Sequence, residues 1–348
     1  MAGYRSRLEA DLEGWIAAGL VPEASREAIL AGVGEPRRLD AATALAFVGL
    51  ALLGLAITAF VASNWNGFPR ALRFGLVLLA FGAAVGGAAR ASALGRPLAR
   101  NGLLTLAAFI YAAAVGLTGQ IFDIAGDPRT ALYGSGLAAG LLAVAGRSTG
   151  AAVAALILIG AGDFSDEAGP LGTWGLVAAP VGLALAWGWR SAPLAQAGSI
   201  ALIAGLARFA LESARPEMVG LVLSGGFALL AAGGRWAAGR DEGVTAAVVY
   251  NWAVWGALGF FGAAGSGEVL GGVPHRAALL LLGSGAIALG RHDRQGMITA
   301  GGVLAFIGAV SAVLFDLGLS LLAAAGLFAA CSMLALGGGW ALRGRKAA

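Results

Sequence analysis

Three acids crowd one short stretch, Asp163, Asp166 and Glu167 in "GDFSDE", and two more stand in "GQIFDIAGDPR" as Asp123 and Asp127. Carboxylates in such groups can work as general acid and base, pair with arginine, or hold a cation. Arg70 and Arg73, in "ASNWNGFPRALR", are bases that could answer them. Hydrolysis would want a nucleophile beside a base, and His275 stands in no recognisable motif. "GSGEVLGG" is Gly-rich but lacks the lysine and strand context of a phosphate loop. With two histidines and one cysteine in the chain, neither a His-rich nor a Cys-based metal site is expected, and no cofactor is implied. An enzyme is the least favoured class.

The elements that carry these residues are membrane spans. The chain has 348 residues, 59% hydrophobic and 12% charged, with mean hydropathy +0.82, whereas soluble domains hold about 25% charged residues. The arginines are spread thinly between apolar runs, so the net charge of +4 reads as topogenic and nucleic acid is not an expected partner. A span needs about 20 mostly apolar residues. Twelve runs meet or approach this, near 41–62, 71–89, 102–121, 130–146, 148–162, 171–189, 193–211, 217–234, 244–265, 275–290, 296–315 and 317–342. The fourth and fifth are short and nearly continuous, and read equally as thin spans, a tight hairpin or one re-entrant element.

Loop charges orient the spans, because cytoplasmic loops carry excess Lys and Arg. With the N-terminus inside, Arg37, Arg38, Arg90, Arg96, Arg100, Arg147, Arg190, Arg235, Arg240, Arg291, Arg294, Arg343, Arg345 and Lys346 all fall inside. The outer side receives the smaller set, Arg70, Arg73, Arg129, Arg208, Arg215 and Arg276. Both termini are therefore expected in the cytoplasm of a bacterium, with the chain in its inner membrane and the lipid bilayer as its solvent. Trp65 and Trp174 then lie at the outer interface and Trp187, Trp189, Trp236 and Trp340 at the inner one, where indole rings are favoured.

The expected organisation is an all-α polytopic bundle: a cytoplasmic helical hairpin over 1–40, spans over 41–342 and a basic tail over 343–348. In the hairpin, Leu8, Leu12, Trp15 and Ile16 share one helix face, Gly19 ends the helix and Pro22 opens a second through about Leu30. It reads as a cap on the membrane domain or, over residues 4–33, as a docking module for another envelope protein. Glycines at GxxxG spacing, Gly82/Gly86 and Gly136/Gly140, and the row Gly256, Gly259 and Gly262, predict close helix packing.

Polar residues concentrate at the outer loops. Asn64, Trp65, Asn66, Arg70 and Arg73 in loop one face Gln120, Asp123 and Asp127 in loop two. The charges are matched, which reads either as a salt-bridged cap, with a loop-one arginine on Asp123 or Asp127, or as a cleft for a polar, headgroup-like ligand. Inside the membrane, Asn251 is the midplane polar candidate, in an interhelical contact or lining a cavity with Tyr250, Trp252 and Trp255. Pro180 is the candidate helix break. No ionisable group lies deep in a span, which counts against a buried-carboxylate antiporter.

"GWIAAGLV" at 14–21, "VASNWNGFPRALR" closing the first span and "GLTGQIFDIAGD" at 116–127, in that order, resemble the bacterial predicted-membrane-protein family called domain of unknown function 2157, over residues 5 to 150. The resemblance implies a multi-pass membrane protein and assigns no activity. Where family members often have Tyr followed by His or Asn, this chain has Phe122 and Asp123. The leading reading is a transporter-like or ligand-binding protein whose outer loops one and two form its functional or gating face. A membrane scaffold or sensor and a lipid-modifying enzyme are the alternatives.

Overall fold

The computed structural model describes residues 4–32, 67–165, 174–239, 243–266 and 272–316, with 318 and 326. The runs near 41–62 and 317–342, the tail, and Asn64, Trp65, Asn66, Asp166 and Glu167 lie outside them. Two units are distinguished, residues 1–69 and 70–348.

In the first unit, α1 (Tyr4–Ala17) ends at Gly19, whose φ of 72° lets Leu20 N–H reach the Trp15 carbonyl at 2.9 Å, the left-handed helix stop that glycine permits. A 3-10 turn over Glu23–Ser25 leads into α2 (Arg26–Gly32), and Arg26 approaches Glu13 at 3.6 Å. Leu12 and Leu30 are buried, while Trp15 and Leu20 are exposed.

The second unit is all helix among its described residues: α3 (Arg70–Ala93), α4 (Pro97–Phe122), α5 (Pro128–Gly146), α6 (Thr149–Asp163), α7 (Gly175–Trp189), α8 (Ala192–Glu212), α9 (Pro216–Ala238), α10 (Gly243–Ala263), α11 (Gly272–His292) and α12 (Gly296–Asp316). Each coincides with one of the ten expected runs between 71 and 315. Seven of them, α3, α4 and α8–α12, are long and apolar enough to cross a membrane. The fourth and fifth runs resolve into a tight hairpin: α5 has 19 residues and α6 only 15, so α6 is roughly 22 Å long against a hydrocarbon layer of about 30 Å. Among the described residues there are thus seven full-length candidate spans plus shorter apolar helices, and the first and last of the twelve expected runs lie outside them.

The helices form successive hairpins, α3 on α4, α5 on α6, α7 on α8, α9 on α10 and α11 on α12. Four of the five share one turn. Gly95, Arg147, Arg190 and Arg294 take positive φ (64°, 46°, 51° and 55°). In each case the next residue donates to the carbonyl five positions back: Arg96 to Ala91, Ser148 to Ala143, Ser191 to Ala186 and Gln295 to Gly290, at 2.8–2.9 Å. That same residue then accepts the first hydrogen bond of the following helix, from Arg100, Ala152, Ala195 and Thr299. Ser148 and Ser191 add side-chain caps, to Ala151 N–H and Leu194 N–H. A left-handed stop followed at once by an N-cap reverses the chain in two residues and satisfies the orphan backbone groups of both helices.

Because the helices alternate in direction, these turns gather at one end of the unit, the tight-turn end. Cross-links there confirm it: Ser148 Oγ and Gly150 N–H donate to Asn101 Oδ1 at 2.9 and 3.0 Å, and the Thr149 and Ser191 hydroxyls lie 3.2 Å apart. The connections α4–α5, α6–α7, α8–α9 and α10–α11 lie at the opposite, loop end. The even-numbered helices α4, α6, α8, α10 and α12 touch in succession and form a continuous row. Small residues make that row possible: α6 buries Ala151, Ala152, Ala154, Ala155 and Gly162, and close backbone approach is a main source of helix association in lipid.

The glycine expectation divides. Gly136 meets Ile159 and the Ala155 carbonyl, and Gly256 meets the Phe227 ring, whereas Gly82, Gly86 and Gly259 have no atom within 4 Å of a built Cβ. Trp174, Trp187 and Trp236 are exposed near helix ends. Trp252 and Trp255, which fit no interface, spend their indole N–H groups inside the unit, on Gln196 Oε1 at 2.7 Å and the Met297 carbonyl at 2.9 Å.

Candidate functional site

The loop end of α3–α5 holds "GLTGQIFDIAGD". α4 runs to Phe122 and stops because Asp123 adopts φ 57°, ψ 35°, with Ile124 N–H bonded to the Gly119 carbonyl at 2.9 Å. Asp is among the few non-glycine residues that visit this region readily. Four residues on, Pro128 opens α5 with its φ already set for a helix. Asp127 is the N-cap, accepting from Arg129 N–H at 3.1 Å, Thr130 N–H at 2.9 Å and Thr130 Oγ1 at 2.6 Å. Those bonds, the Thr130 hydroxyl first, hold its carboxyl below the usual range.

Arg70, the first residue of α3, donates to Asp123 Oδ2 at 2.7 Å. Of the two acids expected to answer a loop-one arginine, Asp123 therefore takes the pair and Asp127 is committed to capping. Both members are open to solvent, 63% and 74% exposed, so the pair is worth at most ~1 kcal/mol and weakens with salt. Phe74 and Phe122 meet edge to face beneath it, with ring centroids 5.7 Å apart. Arg73, one turn along α3, is half-buried, and Gln120 is exposed. A cavity of about 580 Å³ opens beside the pair, lined by Val115, Gly116, Gln120, Asp123, Asp127 and Ala131 among others.

Pro180 and Asn251 do not join this site. α7 runs unbroken through Pro180, which is exposed, so the expected break is absent. Asn251 belongs to the tight-turn end instead of a midplane cavity: its Nδ2 donates to Gln295 Oε1 at 3.3 Å, and its Oδ1 is buried without a partner.

Two networks escaped the sequence reading. Asp163, one of the three acids of "GDFSDE", is 2% exposed at the end of α6. Its carboxylate accepts from Tyr133 OH at 2.7 Å, Trp174 N–H at 3.0 Å and Gly175 N–H at 2.8 Å. Arg129 Nε donates to Tyr133 OH at 3.0 Å. The carboxylate thus sits on the N-terminus of α7, where free N–H groups and the helix dipole favour an anion. The hint lay in Arg129 and Tyr133, four residues apart on one helix face. The other network is at the tight-turn end, where Arg235 holds Asp293 through two bonds of 2.7 and 2.8 Å and Tyr250 OH donates to the same carboxylate at 2.7 Å.

The Arg235 bond, ahead of the Tyr250 bond, keeps the Asp293 carboxyl below its ordinary value. A depressed carboxylate stabilises the fold fully above the unfolded pKa, about 3.9, and that contribution disappears as pH falls through the lower folded value. Melting temperature measured in detergent from pH 7 to pH 3 should fall on the acid side. Asp293→Asn should melt lower at pH 7 and show a shallower acid fall; an unchanged slope would mean that the network is not linked to stability.

Ten described helices, most of them apolar and long, with polar groups gathered at the two ends, define a multi-pass transmembrane protein. A family model described as "Predicted membrane protein (DUF2157)" matches residues 13–152, which confirms the resemblance drawn from the two loop motifs over that segment. No curated protein and no solved structure matches the chain.

Proposed function

We propose that this protein is a non-enzymatic, ligand-binding protein of the bacterial inner membrane, with the tight-turn end in the cytoplasm and the Arg70–Asp123 site facing outward. The arginine bias of the tight turns supports the orientation. The reading rests on one observation: an exposed, weak ion pair at the rim of a cavity of about 580 Å³, built on "GLTGQIFDIAGD" and the start of α3. Such a pair opens at little cost, and a zwitterionic headgroup satisfies both halves, its phosphate on Arg70 and its ammonium on Asp123. Transport in the strict sense draws less support, since α7 is continuous at Pro180 and Asn251 bonds to a turn.

Native mass spectrometry of the protein in nanodiscs tests this. The wild type should retain phosphatidylethanolamine over phosphatidylglycerol, and Arg70→Gln and Asp123→Asn should each weaken that retention about tenfold. Equal retention of the two lipids, or undiminished preference in both variants, overturns the reading. For orientation, Gly67→Cys in a Cys331→Ser background should react with an impermeant maleimide added outside intact spheroplasts.

A further inference from the structure

The loop end of α10–α12 carries a second cavity, of about 500 Å³, within the size range of small-molecule sites. It runs from Trp255 and Gly301 to Arg276 and Ala312, roughly 16 Å along α12 at 1.5 Å per residue. Its sides are glycine and leucine, including Gly259, Gly308 and Leu304. Neither Gly259 nor Gly308 has an atom within 4 Å of a built Cβ. Unlike Gly136 and Gly256, which are closed by neighbouring atoms, these two hold space open.

The polar groups stand together at the mouth. His275 is 3% exposed, with its ring stacked on Phe261 at 4.4 Å, and neither Nδ1 nor Nε2 has a hydrogen-bond partner among the described residues. Gly265 allows the ring into this position, since a Cβ there would lie 2.3 Å from it. The neighbouring Arg276 bonds to Asp316 and, at 2.8 Å, to the Ala312 carbonyl, both through Nη1, which leaves its other N–H donors to a ligand. A buried imidazole without a partner is a donor and acceptor that native structures rarely leave idle. The site combines an apolar slot with an imidazole and a guanidinium at one end.

We infer that this cavity binds a single-chain amphiphile with a carboxylic acid, the acid held by His275 and Arg276 and the chain lying along Gly259, Gly308 and Leu304. A carboxylate accepts from both the imidazole N–H and the guanidinium edge, and the slot accommodates a chain that brings no hydrogen-bonding group of its own. The site is separate from the Arg70–Asp123 pair, so either proposal stands without the other.

The test uses the full-length protein in detergent with 11-dansylaminoundecanoic acid as the fluorescent probe. Dodecanoic acid should displace it at least tenfold better than methyl dodecanoate, which keeps the chain and loses the acid. His275→Phe, which preserves ring stacking, should bring the acid down to the affinity of the ester. Gly308→Leu should abolish probe binding while size-exclusion profile and melting temperature stay near wild type. Equal displacement by acid and ester, undiminished acid affinity in His275→Phe, or displacement by a diacyl phospholipid as strong as by the acid overturns the proposal. If His275→Phe does not fold, the acid–ester comparison on the wild type and Gly308→Leu still decide it.

Discussion

Asp163→Ala should be the most damaging single change at the loop end, lowering stability by about 3 kcal/mol or more. Three donors converge on this one carboxylate, Tyr133 OH, Trp174 N–H and Gly175 N–H, at a site that is 2% exposed. Hydrogen bonds to a charged group contribute about 1.5–3 kcal/mol each, and removing the acceptor also strands the donors. The stranded groups include two backbone N–H donors at the start of α7, and unsatisfied backbone in an apolar setting costs several kcal/mol. Tyr133→Phe deletes one interhelical bond and should cost about 1 kcal/mol. Gly175→Ala attacks the same point from the other side, because its Cβ would fall 2.4 Å from Asp163 Oδ2. Melting curves by fluorescence-detected size exclusion rank the variants. An Asp163→Ala protein that melts with the wild type would remove the carboxylate from the list of struts.

The positions of the helices were legible because apolar runs and their breaks are a one-dimensional signal, and all ten expected runs between 71 and 315 contain a helix. The Arg70–Asp123 pair was legible for a related reason: a base on the side where bases are scarce needs a local reason to be there, and acids stand in the neighbouring loop. The structure shows why Asp suits position 123, since it serves both a left-handed stop and an arginine. The turn at Arg147 was not legible. Arginine has no preference for positive φ, and only the bond from Ser148 N–H to the Ala143 carbonyl reveals that two helices meet there. The burial of Asp163 was not legible because it is decided by a helix that starts more than ten residues later. The contact expected of Asn251 is present, but its partner was not legible, since Gln295 comes from a turn that only the tertiary fold brings near.

Glycines show the same limit and carry the last prediction. Spacing within one helix identifies a surface of small residues but says nothing of what lies across it, so Gly82 and Gly86 match the motif and have no close neighbour among the described residues. The tightest crossing, between α11 and α12, has its glycines on different helices. A Cβ on Gly302 would lie 2.7 Å from the Gly283 carbonyl oxygen and 2.7 Å from Ile287 N, and one on Gly283 would lie 2.9 Å from Phe306 N. These neighbours are backbone atoms and cannot rotate away as a side chain can. Overpacking a core with movable neighbours costs about 1–3 kcal/mol and occasionally more; here the two helices must separate. Gly302→Val should therefore cost about 3 kcal/mol or more and disrupt the α11–α12 hairpin, while Gly82→Val, with no neighbour among the described residues, should be near neutral, the helix propensity difference favouring Val by well under 1 kcal/mol. The measurement is the fraction of monodisperse protein recovered from membranes together with its melting temperature. A Gly302→Val protein recovered and melting like Gly82→Val would show that the crossing is not closed by backbone contact. The cavity of His275 makes the comparison sharper, since it is walled by the same hairpin: Gly302→Val should also weaken probe binding there, and Gly82→Val should leave it unchanged.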